Sequence, residues 1–133
     1  MRRLLPLLLL TACVTVQEPR ARIFDARPLE PEYWYEDLYT SVRRCAEILN
    51  HASDITYSDI EWFIVRAGVM GEQGAVSGEG NIAGLSSTPN RIYLDERFVV
   101  DQGIITHELG HVGIKAGENQ HESATFKLCT GTL

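Results

Sequence analysis

From Glu32 onward the chain alternates apolar and polar positions at a helical interval, with Trp34, Leu38, Val42, Cys45 and Leu49 recurring every three or four residues. The pattern gives out near Asn50. A polar stretch holding Ser53, Asp54, Ser58 and Asp59 follows, and then Ile60 to Arg66 gathers Trp62, Phe63, Ile64 and Val65, whose bulk favours a strand. Six of the eleven glycines fall between residues 68 and 90, which predicts turns or a hairpin with a mobile tip and a weak strand at Asn81 to Leu85. Arg91 to Asp95 sets Ile92 and Leu94 against Arg91, Tyr93 and Asp95, the alternation of a half-buried strand. Asp101 is placed to cap a helix running to about Lys115 and stopped by Gly117. Asn119 with Glu122 three residues on has the form of a capping box for a last helix through about Leu128. The order helix, strand, loop or hairpin, strand, helix, helix predicts a small α+β domain, its short antiparallel or mixed sheet packed against a helix.

The N-terminal pattern is different. Arg2 and Arg3 precede the apolar run Leu4 to Leu10, broken only by Pro6, which is the layout of a secretory signal and too short for a membrane-spanning helix. The run ends in Leu10-Thr11-Ala12-Cys13, which resembles the lipobox of bacterial lipoproteins. That resemblance implies a signal peptide over residues 1–12 and a lipidated Cys13; an ordinary cleaved signal with an incidental cysteine is the alternative. Residues 13–31, with Pro19, Pro28 and Pro31 among mixed charges, then read as a flexible tether, and residues 32–133 as one domain. The resemblance places the chain in the cell envelope, membrane-held by its lipid. Val14, standing where an inner-membrane retention signal would have aspartate, points to the outer membrane facing the periplasm.

Charge and cysteines narrow the partners. With residues 1–12 removed, ten basic residues face eighteen acidic ones, a net charge of −8. That argues against nucleic acid, whose binding rests on neutralising phosphates with Lys and Arg. The glycine-rich stretch contains neither GxxxxGK[ST] nor GxGxxG, so no phosphate cradle is indicated. Cys45 and Cys129 remain as an even pair in an oxidising compartment, which predicts a disulfide; the alternative, metal ligation or nucleophilic chemistry, lacks CxxC spacing and an adjacent histidine. No feature of the sequence signals an oligomeric state.

The chemistry lies in His107-Glu108-Leu109-Gly110-His111, a full HExxH motif inside the predicted 101–115 helix. Residues i and i+4 share one helical face, so both imidazoles can reach one Zn²⁺ at about 2.0 to 2.1 Å while Glu108 leans toward the water it would deprotonate. Ile105, Leu109, Val112 and Ala116 form a core-facing stripe, and Gly110 and Gly113 permit close packing. A catalytic zinc site needs a third protein ligand and an open position. His121, just beyond a reversing turn at Ala116 to Asn119, is the preferred candidate, and Glu122 is the alternative, with a competing role in the capping box. His51 reads as a surface or helix-end histidine. Tyr93, Tyr57 and Arg91 could stabilise an oxyanion, but each is more often simply a strand or turn residue, and none is assigned to the site.

His107, Glu108 and His111 look like the active-site helix of the zincin metallopeptidases, and Arg91 to Asp95 resembles their substrate-lining edge strand. The resemblance implies a zinc metallopeptidase, with Glu108 as general base and a peptide or protein substrate lying extended along that strand. It leaves the subclass open. The metzincin pattern wants a glycine and a histidine where this chain has Ile114 and Gly117, and a gluzincin-like third ligand would be Glu122. A non-catalytic zinc-binding or envelope-binding lipoprotein is the competing reading.

Overall fold

The computed structural model describes residues 26–72, 84–87, 90–115 and 120–131. The expected signal peptide, Cys13, most of the tether, the Ala116 to Asn119 turn with the Gly117 stop, and the greater part of the glycine-rich stretch lie outside the described residues. Among those described, no helix is long and apolar enough to cross a membrane.

The domain is α+β, as the hydrophobic pattern predicts. Its strands are β1 (Arg27–Pro28), β2 (Glu61–Val65), β3 (Gly84–Ser87) and β4 (Arg91–Asp95). Its helices are α1 (Trp34–Ile48), the short α2 (Val69–Glu72), α3 (Gln102–Gly113) and α4 (Ala124–Thr130). The sheet runs β1-β2-β4-β3. β2 and β4 are parallel, with Trp62 beside Ile92 and Ile64 beside Leu94, while β1 and β3 are antiparallel to their neighbours.

One sheet face carries Trp62, Ile92 and Leu94, buried with Tyr35 and Tyr39 of α1 and Ile105, Leu109 and Val112 of α3. The Tyr35 and Tyr39 hydroxyls do not go unpaired there: they donate to the carbonyls of Val99 (2.5 Å) and Ile55 (2.7 Å). The opposite face is covered as well. Val65 and Tyr93 pack with Val69 and Met70 of α2, and Phe63 stacks on Tyr93 with ring centroids 5.0 Å apart.

That second cover corrects the half-buried reading of Arg91 to Asp95. β4 is a central strand in which Tyr93 and Asp95 are fully buried, because residues 69–72, expected to be loop, form a helix over them. Asp95 is buried as an anion with partners on every side: its carboxylate accepts from the Gly68 amide at 2.7 Å and the Arg97 amide at 2.9 Å, and from the Arg97 guanidinium at 2.9 and 2.8 Å. The Arg97 bonds lead in holding this carboxyl at about 2 despite the opposing cost of burial. Two further differences concern boundaries. The chain joins the sheet at Arg27, within the expected tether, and Leu29 donates to the Trp62 carbonyl at 2.9 Å. The last helix is capped by Ser123, which accepts from Phe126, after a 3₁₀ turn at Gln120–Glu122, so Glu122 is not the N3 acid of a capping box.

Cys45 of α1 and Cys129 of α4 form the disulfide, with Cα atoms 5.6 Å apart. Val42, Ala46, Ile114 and Phe126 fill the space beside it. The C-terminal end of α3 is tied to the segment after α1 by Ser53 donating to the Gly113 carbonyl (2.9 Å) and Lys115 donating to that of His51 (2.6 Å). Three helices therefore meet where α3 presents its last two turns.

Candidate metal centre

α3 begins at Asp101, whose carboxylate accepts from the Ile104 amide at 3.0 Å, as the sequence predicts. Ile105, Leu109 and Val112 turn to the core and leave His107 and His111 on another side, one turn apart. His121 arrives from the 120–122 turn. The three Nε2 atoms converge: His107 to His121 is 3.1 Å, His107 to His111 is 3.3 Å, and His111 to His121 is 2.9 Å.

These separations test whether a metal ion fits. Ligand nitrogens about 2.0 to 2.1 Å from a tetrahedral zinc ion stand roughly 3.4 Å apart, close to the observed triangle. Hydrogen bonding among the rings alone satisfies it less well. The Gln120 Nε2 group donates to the carbonyls of His111 (3.3 Å) and Ile114 (3.1 Å), which can only accept, so the amide orientation is fixed. Its Oε1 then faces His111 Nδ1 at 2.5 Å, and Nδ1 must carry the proton. His111 Nε2 is thereby a lone pair, and at most two of the three contacts can be hydrogen bonds. A cation at the centre makes all three favourable. Among the described residues, this is the one group of three metal-ligating side chains close enough to share an ion.

The surroundings suit neutral imidazoles. Phe126 of α4 packs against all three rings, with centroids 5.1 Å from His107, 4.8 Å from His111 and 5.5 Å from His121. Burial, reinforced by the neighbouring His111 and His121, pushes His107 down to about 4. Burial also lowers His111, against the opposing bond to Gln120. α4 can lie this close because residue 110 is glycine: a Cβ there would stand 2.9 Å from the Phe126 ring and collide with Thr130.

Glu108 lies on a different side of the helix, 6% exposed, beneath β3. Burial pushes its carboxyl up to about 8, and the Ser86 hydroxyl and amide, which donate to it, pull the other way. Gly84 makes the seat: a Cβ at that position would come within 2.7 Å of Glu108 Cγ and 2.8 Å of Oε1. The strand at the sheet edge beside the motif is therefore β3. The expectation that Arg91 to Asp95 is the edge strand is corrected, because β3 folds back antiparallel outside β4.

Of the candidate residues, His107, His111 and His121 come together. Glu122 stays outside the cluster, its carboxylate 3.7 Å from the Lys127 ammonium. His51 lies at the end of α1 and takes no part. The oxyanion candidates are placed elsewhere: Tyr93 is under α2, Tyr57 packs toward Tyr39 and Trp62, and Arg91 pairs with Glu61 at 2.6 Å. Gln120, Ser86, Gly84 and Phe126 are the residues that sequence reasoning missed. Only Gln120 carried a signal, a polar side chain adjacent to a proposed ligand. Compared with known protein families, curated proteins and solved structures, the chain matches none.

Proposed function

We propose that the chain is a zinc-dependent hydrolase of the zincin type, acting on peptide bonds. The observation that carries this reading is the convergence of three imidazole Nε2 atoms at 2.9 to 3.3 Å, two of them from an HExxH helix. His107, His111 and His121 would hold the ion and leave a fourth position open, the ligand number of catalytic rather than structural zinc. Zinc so held would supply Lewis acidity, to polarise a carbonyl and make water a usable nucleophile near neutral pH.

The remaining work falls to the chain. Glu108 is the one carboxylate between the histidines, and in its ionised form it would take the proton from the attacking water and return it to the leaving amine. Ser86 and Gly84 hold that carboxylate on the side of the helix facing β3. An extended peptide pairing with the edge of β3 would run past Glu108 and gain main-chain hydrogen bonds. The Cys45–Cys129 disulfide supports an oxidising compartment, in keeping with a periplasmic, lipid-anchored protein.

One observation favours a second reading, a non-catalytic metal-binding protein: Glu108 is buried and already bonded to Ser86, which is also what a structural anchor would show. Zinc-loaded wild type and Glu108→Gln, incubated with a library of unstructured peptides and read by mass spectrometry, separate the two. Cleavage by wild type that Glu108→Gln abolishes while still binding zinc is the expected result. A protein that binds zinc, cleaves nothing and is merely destabilised by Glu108→Gln fits the second reading.

A further inference from the structure

We infer that Gln120 is a positioning residue for the metal, selecting the ligating tautomer of His111 and locking the turn that delivers His121. The inference rests on the metal reading above and extends it to a residue outside the ligand set.

The geometry is a three-point clamp. The Gln120 amide nitrogen donates to two carbonyls at the C-terminal end of α3, His111 at 3.3 Å and Ile114 at 3.1 Å. The first is one of the last carbonyls of the helix and the second belongs to the residue just past its end, so neither has a partner within it. The amide oxygen thereby points at His111 Nδ1, 2.5 Å away. An imidazole that donates from Nδ1 presents Nε2 as a lone pair, the form a metal requires, and the hydrogen bond raises its basicity. The same side chain anchors the 120–122 turn to α3, and His121 is the next residue. One amide thus sets the tautomer of one ligand and the approach of another. Without it, the exposed His121 would hang from a three-residue turn with only the two imidazoles and Phe126 beside its ring.

Two substitutions separate the clamp's parts. Gln120→Ala removes all three bonds. Gln120→Glu keeps an oxygen facing Nδ1 and loses the amide donor to the two carbonyls. Zinc affinity is measured by competition with a chromogenic chelator in wild type and both variants, and the tautomer of His111 by ¹⁵N-edited NMR of the metal-free protein. Wild type should show the Nδ1-protonated form of His111. Gln120→Ala should lose that preference and bind zinc about 10- to 100-fold more weakly, the usual effect of removing a partner of a metal-bound histidine. Gln120→Glu should recover the tautomer and part of the affinity, since it keeps the bond to Nδ1 and loses the anchor of the turn. A merely structural clamp predicts a different pattern, with Gln120→Glu as weak as Gln120→Ala, and that result overturns the inference. So does undiminished zinc affinity in Gln120→Ala. Failure of wild type to take up zinc would remove the metal reading itself, and with it this role.

Discussion

Replacing both Cys45 and Cys129 by alanine should lower the stability of the domain by about 4 to 5 kcal/mol. The bridge closes a loop with a sequence separation of 84, and chain-entropy bookkeeping for a loop of that length gives a value in this range. A domain of this size has only about 5 to 15 kcal/mol in total, so the variant is expected to be marginal. The loss should concentrate at α4. Its seven residues cannot hold a helix alone, and beyond the bridge α4 relies chiefly on the burial of Phe126, worth about 1.5 to 3 kcal/mol. His121 enters the site just before α4, and Phe126 supports all three imidazoles. Zinc binding should therefore re-anchor the helix, returning about 2.7 kcal/mol at a free concentration 100-fold above Kd. The assay is urea unfolding followed by circular dichroism, for wild type and variant, with zinc and with chelator. A loss under about 1 kcal/mol, or no zinc-dependent recovery in a variant shown to bind zinc, would refute this account of α4.

Three more outcomes follow from single sites. Asp95 has its carboxyl held at about 2 against an ordinary 3.8, so it adds about 2 kcal/mol that is fully present above pH 4 and lost as pH falls toward 2; acid unfolding of Asp95→Asn should lack that component. Gly84→Ala should displace Glu108 or lift β3, at a cost of about 1 to 3 kcal/mol, and abolish any peptide cleavage while leaving zinc stoichiometry intact; unchanged cleavage would contradict the seat. Phe126→Ala should destabilise by about 3 to 5 kcal/mol and weaken zinc binding, and full zinc affinity in the folded variant would show that the ring does not support the imidazoles.

The parts of this structure legible in the sequence are those fixed by local chemistry. The amphipathic spacing of α1, the Asp101 cap of α3, the strand at residues 61–65 and the same-face histidines of HExxH all follow from neighbours in the chain. His121 was legible because a helix, a turn and a returning segment leave few places for it. What stayed hidden depends on contacts between distant segments. The alternation in Arg91 to Asp95 looks half-exposed because it cannot reveal that α2 will cover Tyr93 or that Arg97 and Gly68 will satisfy Asp95. Edge and centre of the sheet were exchanged because β3 is a weak, short strand whose pairing outside β4 is a tertiary choice. Asn119 and Glu122 matched the capping-box pattern, yet the Gln120 side chain bonds the end of α3 and helix initiation passes to Ser123.

Zinc stoichiometry and affinity in the purified, oxidised protein test the central claim most directly. Elemental mass spectrometry and chelator competition should give one zinc per chain in wild type and in Glu122→Ala, and loss of high-affinity binding in each of His107→Ala, His111→Ala and His121→Ala. Wild-type protein that folds, forms its disulfide and takes up no zinc on reconstitution would contradict the account. Retention of full affinity in His121→Ala would contradict the three-histidine site.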